Sequence, residues 1–324
     1  MGVDPSLVSR VVNNDPKASA SEATRQRILD AVEQLGYQAS VMARGLRMTR
    51  TLTVGLLLPD LYNPMYASIV SGVEERAHEL GYGVVLGAHA EDEKETFTAL
   101  LRQGRVDGLL IASGVLKDSY MRQVITSGAG PIVLVNRRVR GIETSVVVDD
   151  AAGAKLAVHH LRELGHTRIA GMFGPGGIDT SVRRKKGFIE GCRTMAVADR
   201  QLLDMPSWNY ESGYLGALEL LSQPSRPTGI FASTLAMGIG TLRAARELAI
   251  EVPHELSVIA LHDSDIADYL APPLTTVAMP VEEMGRRSVE LLISLIGGGP
   301  PGEVIVDGSP QLVLRASTAA AAGG

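Results

Sequence analysis

The chain has 324 residues, 45% of them hydrophobic and 21% charged, with a net charge of −5. That length and balance exclude a disordered polymer and leave room for at least two folded cores. The acidic total excludes a uniformly basic nucleic-acid coat, yet residues 39–50 carry Arg44, Arg47 and Arg50 and no acid, so any phosphate contact belongs to one end. A solvated Arg-rich linker fits that segment equally well.

In chain order, Asp4 and Pro5 supply an N-cap and a first helical residue, and Leu7, Val8, Val11 and Val12 recur at helical spacing. Asn13, Asn14, Asp15 and Pro16 break that helix. Ser21 caps a second helix with an apolar face of Ile28, Leu29, Val32 and Leu35, and Gly36 stands where a left-handed stop belongs. A third helical segment, Ser40 to Arg47, is weakened by Gly45 and too short to stand alone.

From Thr51 the period changes. LTVGLLLPD reads as a buried strand, residues 65–80 as an amphipathic helix, YGVVLGAH as a strand, Glu91 to Gln103 as a helix, VDGLLIAS as a strand and, after another helical stretch, PIVLVN as a strand. The alternation restarts near Ala151: AKLAVHHLRELG helical, TRIAGMFG a strand, residues 181–196 helical, then TGIFAS, LAMGIGTLRAARELA and LSVIALHD. LTTVAM, a helix from Val281 to Ile296, and VIVD follow. Strand alternating with helix means parallel, doubly wound sheets, and the strand count predicts two α/β lobes. The tail RASTAAAAGG has no leucine heptad and gives no coiled coil.

Catalytic signatures are missing: there is no G-x-S-x-G elbow, no H-E-x-x-H and no Walker loop. GPGG at 174–177 reads as a plain loop, and the adjacent His159 and His160 point to different sides of a helix. No enzyme, no cofactor and no metal are expected. Cys192 is the only cysteine, and no signal-peptide-like or long uncharged apolar run occurs, so a cytoplasmic protein with no membrane partner is expected.

SLVSRVVNN, EATRQRILDAVEQLGYQAS and ARGLR, then LLLPDLYNPMYASIVSGVEERAHELGY, HHLRELGHTRIA, RRKKGF and ADYLAPPLTTVAMPVEEMGRR, resemble in order the landmarks of the lactose-repressor/galactose-repressor (LacI/GalR) family. The resemblance implies an effector-responsive repressor of carbohydrate-related genes that binds a pseudo-palindromic operator as a homodimer. It implies an α/β fold in which a partial all-α helix-turn-helix headpiece and hinge helix, 1–50, precede a two-lobed, periplasmic-binding-protein-like sensing domain with three crossovers. The expected lobes are 51–148 with 278–306 and 149–277 with 307–318, and 319–324 is expected to be a disordered tail. The family headpiece begins with a further helix of pattern I-x-D-V-A-x-x-A, whereas only Met1 and Gly2 precede Val3 here. A start assigned too late is the expected reason, with Leu7 and Val11 left short of a packing partner. A sensor of the same fold without DNA binding, and a solute-binding protein, are the alternatives.

By the resemblance, Pro5, Ser6, Leu7, Ser9, Arg10 and Asn13 belong to the DNA-reading helix and its turn. Arg10 is the candidate for a bidentate guanine contact, a phosphate contact being the alternative. Leu46 matches the leucine that wedges into the minor groove, or is a buried leucine of a small helix; Arg44 and Arg47 beside it suit phosphates. The effector is expected to be a sugar, sugar phosphate or related metabolite. Its cleft candidates are Tyr62, Asn63, Tyr66, Asn136, Arg137, Arg184, Trp208, Thr234 and His262. Trp208 either stacks on a sugar face or is a core residue. Thr234 and His262 stand where the family often has polar or acidic anchors, and Arg137, Arg184 and His262 together suit an anionic effector, a neutral hydrogen-bonding residue being the alternative for His262.

Overall fold

The computed structural model describes residues 3–12, 18–35, 50–59, 63–88, 96–112 and 116–321. At the N-terminal end are α1 (Pro5–Val12) and α2 (Glu22–Gln34). Asp4 Oδ1 accepts the Ser6 N–H at 2.7 Å, and Ser21 Oγ accepts the Thr24 N–H at 3.3 Å, so both expected caps form. Packing of α1 on α2 buries Val11 and Ile28. The expected third helix, the Gly36 stop, Asn13, Arg44, Leu46 and Arg47 lie outside the described residues.

The first lobe contains β1 (Thr53–Leu58), α3 (Met65–Glu79), β2 (Gly83–Ala88), α4 (Thr96–Arg102), β3 (Gly108–Ile111), α5 (Asp118–Thr126), β4 (Ile132–Val135) and β5 (Ser145–Val147). The second holds α6 (Asp150–Glu163), β6 (Arg168–Phe173), α7 (Asp179–Thr194), β7 (Asp199–Asp204), α8 (Tyr210–Leu221), β8 (Gly229–Ala232), α9 (Leu235–Glu247), β9 (Ser257–Leu261), a 3-10 turn (Asp265–Tyr269) and β10 (Thr275–Ala278). Then come α10 (Val281–Ile296), β11 (Glu303–Ile305) and β12 (Gln311–Val313). One sheet runs β11-β5-β4-β3-β1-β2 and is parallel throughout; the other runs β12-β10-β9-β8-β6-β7, antiparallel only at β12. The chain therefore passes between sheets after β5, after β10 and between β11 and β12, and α10 returns to pack on α3.

Nearly every residue of β1, β3, β4, β8 and β9 is buried, as strands covered by helices on both faces must be. Phe173, Phe188 and Phe231 cluster with ring centroids 5.6–6.1 Å apart and tie α7 to β6 and β8. The α6–α7 pair approaches closely because a Cβ at Gly187 would overlap the Ala151 backbone.

The expected disordered tail needs correction. Ala319 O accepts from His166 Nε2 at 3.1 Å, and the Ala321 N–H donates to Leu164 O at 2.8 Å. These residues satisfy polar groups at the end of α6 that would otherwise be orphaned, so the chain is held as far as Ala321. Four elements, β5, β7, α8 and β12, were not among the expected ones. Strand β7 (DRQLLD) alternates only between exposed and half-buried residues at a sheet edge, which blurs its pattern.

Candidate functional site: a cleft between two lobes

Parallel strands of both sheets deliver their carboxyl ends, and the N-termini of the helices that follow, to a common cleft. A narrow cavity of about 30 Å³ lies there, lined from the first lobe by Asn63, Met65, Tyr66, Ala112, Val135, Asn136 and Arg137, and from the second by Thr180, Arg184, Trp208 and Thr234. Seven of the expected effector residues thus meet: Asn63, Tyr66, Asn136, Arg137, Arg184, Trp208 and Thr234. Tyr62 lies outside the described residues, and His262 sits behind Arg184 rather than in the wall. Met65, Ala112, Val135 and Thr180 were not expected. The apolar three carry no chemical signal, whereas Thr180 could have been found as a polar residue opening a helix after a strand and a Gly-rich loop.

On the first lobe, Asn63 Oδ1 accepts the N–H of Met65, the first residue of α3, at 3.2 Å. Asn136 follows β4 in the left-handed region, with φ of 58°, which Asn tolerates better than most residues. Its Nδ2 faces Met65 Sδ at 3.8 Å, and its Oδ1 is buried without a partner. Arg137 is only 1% exposed, and its guanidinium donates to Leu116 O and to Asp118 Oδ1, both at 2.5 Å.

On the second lobe the arginines of α7 organise the wall. Arg184 Nε donates to Asp150 Oδ1 at 2.7 Å, Nη1 to Ser233 O at 2.9 Å, and Nη2 to His262 Nε2 at 2.8 Å. A guanidinium only donates, so His262 Nε2 accepts and its proton sits on Nδ1, which is buried and unpartnered. Burial first, and the Arg184 charge second, push His262 down to about 3, against the opposing pull of Asp150. The imidazole is therefore neutral and brings no positive charge. Arg183 donates to the other oxygen of Asp150, to Val148 O at 2.9 Å and to Asp179 Oδ2 at 2.9 Å. Burial alone would raise Asp150, but the two guanidiniums outweigh it and hold the carboxyl below its ordinary value.

The first turn of α7 also joins the lobes. Thr180 Oγ1 donates to Asn136 O at 2.7 Å, and the Arg138 N–H donates to Asp179 Oδ2 at 3.1 Å. Trp208, half-buried, lays its indole over Gly174 at the end of β6, where any Cβ would overlap the ring. Its Nε1 is buried with no partner. Thr234 Oγ1 donates to Trp208 O at 3.1 Å and accepts the Met237 N–H at 3.2 Å, so this hydroxyl caps α9 and fixes the tryptophan loop.

Among the described residues no His, Cys, Asp and Glu cluster could hold a metal ion, and no helix is long and apolar enough to cross a membrane. On α1, Pro5, Ser6 and Arg10 are exposed and Leu7 is half-buried; Ser9 lies in the same helix.

Residues 1–40 match the family model described as bacterial regulatory proteins, lacI family, and residues 158–318 match the periplasmic binding protein-like domain. The HTH-type transcriptional regulator DegA of Bacillus subtilis (strain 168) is 34% identical over 323 residues, spanning 98% of this chain and 95% of the relative. The HTH-type transcriptional repressor CytR of Escherichia coli (strain K12) is 30% identical over 98% of this chain and 94% of its own length. The crystal structure of the lac repressor dimer bound to operator and the anti-inducer ONPF superposes with a TM-score of 0.83 at 26% identity, over 98% of this chain and 96% of that one. The helical head, the two crossed-over parallel sheets and the end-to-end similarity to such regulators agree, and the chain belongs to the lacI family of DNA-binding bacterial transcription regulators.

Proposed function

We propose that the chain is an effector-responsive repressor of carbohydrate-related genes that binds a pseudo-palindromic operator as a homodimer in the cytoplasm. In this reading α1, with Pro5, Ser6, Leu7, Ser9, Arg10 and Asn13, enters the major groove, Arg10 gripping a guanine. Leu46, flanked by Arg44 and Arg47, meets the minor groove at the centre. The lobes, 51–148 with 278–306 and 149–277 with 307–318, close on a small effector held by Asn63, Tyr66, Asn136, Arg137, Thr180, Arg184, Trp208 and Thr234. His262 acts by positioning Arg184, and Tyr62 stands beside Asn63 in the chain. A ligand that favours one lobe arrangement shifts the spacing of the DNA-reading heads and so changes operator affinity. No turnover of the effector is expected.

One observation carries the sensing half. Asn136 Oδ1 and Trp208 Nε1, an acceptor and a donor from opposite lobes, are both buried and unpartnered beside one cavity. Native interiors leave few such atoms, and a bound hydroxyl pairs with either. Trp208 is the only tryptophan, so its emission reports the cleft directly. Titration of sugars and related metabolites against that emission, followed by mobility shift with operator DNA, tests the reading. A ligand that alters both supports it, and a ligand that binds without touching DNA affinity refutes it.

A further inference from the structure

We propose that the cleft is built to reject anions: its effector is uncharged and hydroxyl-bearing, and the phosphorylated or carboxylated form of the same molecule does not bind. The proposal rests on the cleft being the effector site, and it narrows the chemistry admitted there.

Three guanidiniums border the cleft, and each is already committed to a carboxylate of the chain. Arg137 pairs with Asp118 at 2.5 Å, Arg184 with Asp150 at 2.7 Å, and Arg183 with Asp179 at 2.9 Å while also reaching Asp150. Three positive groups stand against three negative ones, so the local sum is zero. His262 adds nothing, because it accepts from Arg184 and is neutral.

Helix N-termini are the other place where an anion finds favourable partners. Those bordering this cleft are already furnished with the chain's own oxygens. At α6, Asp149 Oδ1 accepts the Ala152 N–H at 3.0 Å; at α7, Asp179 occupies the first turn. At α9 the Thr234 hydroxyl caps, and at α3 the Asn63 amide oxygen takes the first N–H, that of Met65. A phosphate entering here meets no uncompensated cation, and it would have to displace a carboxylate from an arginine to gain one. Two buried groups beside the cavity that lack partners, Asn136 Oδ1 and Trp208 Nε1, are uncharged, one acceptor and one donor. They match a hydroxyl and cannot neutralise a phosphate.

The test is titration of Trp208 emission, at fixed ionic strength, with matched probes: ribose against ribose 5-phosphate, glucose against glucose 6-phosphate and gluconate, adenosine against its 5′-monophosphate. An uncharged member is expected to saturate, with its charged counterpart weaker by about 30-fold or more. Equal or tighter binding of the charged member overturns the proposal and leaves the cleft reading intact. Binding detected by calorimetry that leaves Trp208 emission unchanged, and persists in Asn136→Ala, refutes the cleft reading instead. Inorganic phosphate is the probe that needs no knowledge of the effector. At millimolar concentration it is expected to be silent with the wild-type protein and to change the emission of Asp118→Asn, which releases Arg137, or of Asp179→Asn. A wild-type response to phosphate, or silence in the wild type and in both folded variants, overturns the proposal.

Discussion

Replacement of His262 by Gln tests the electrostatics behind the cleft. Gln keeps an acceptor for the Arg184 guanidinium, which His262 Nε2 holds at 2.8 Å, but it cannot take up a proton. In the folded chain His262 is pushed down to about 3 from an ordinary 6.5. Below pH 6.5 the unfolded chain therefore binds a proton that the folded chain refuses. The stabilising contribution is present above the unfolded value and is lost as pH falls toward the folded one. At ~1.4 kcal/mol per pH unit, going from pH 7.5 to pH 5.0 costs the wild type about 2 kcal/mol through this residue. His160 and His166 are also lowered, by burial first, and add to the wild-type slope, so the difference between the two proteins isolates His262. Urea denaturation followed by Trp208 emission at several pH values measures it. The expected result is a shallower pH dependence in His262→Gln. Equal slopes in the two proteins, or a wild type that gains stability as pH falls, would refute the reasoning.

Asp150→Ala leaves two largely buried guanidiniums, Arg183 and Arg184, without their shared carboxylate, and a loss of about 3–5 kcal/mol is expected by the same denaturation assay. Gly174→Ala drives a methyl group into the Trp208 ring; a stability loss of about 1–3 kcal/mol, a shifted Trp208 emission and weaker effector binding are expected together. Arg10→Ala removes an exposed guanidinium from α1, and fluorescence anisotropy is expected to show a loss of about 1–3 kcal/mol for the preferred DNA site with a smaller loss for random DNA. An unchanged preference would remove Arg10 from base reading.

The long elements were legible because their periods were strong. The buried run of β1 and the amphipathic α10, Val281–Ile296, needed no tertiary knowledge. Strands β5 and β12, of three residues each, carry too short a pattern, and edge strand β7 shows its neighbours only one half-buried row. Membership of the cleft was also legible, since Asn63, Asn136, Arg184 and Trp208 were placed there by the family motifs. Their charge state was not. The partner of Arg137 stands 19 positions away and that of Arg184 stands 34 away, so a reading of the residue types alone takes both guanidiniums as available to an anion. The same holds for Thr234, whose hydroxyl is absorbed as the cap of α9, and for His262, whose tautomer is set by Arg184.

The most direct test of the central claim couples the two ends of the chain. DNA selected from a random duplex pool by the purified protein is titrated with and without the uncharged ligand that saturates Trp208. The expected result is an enriched pseudo-palindrome whose affinity the ligand changes by roughly 5- to 150-fold, an effect that Trp208→Ala abolishes. Enrichment of no sequence, or an enriched site whose affinity is indifferent to the ligand, would contradict an effector-responsive regulator.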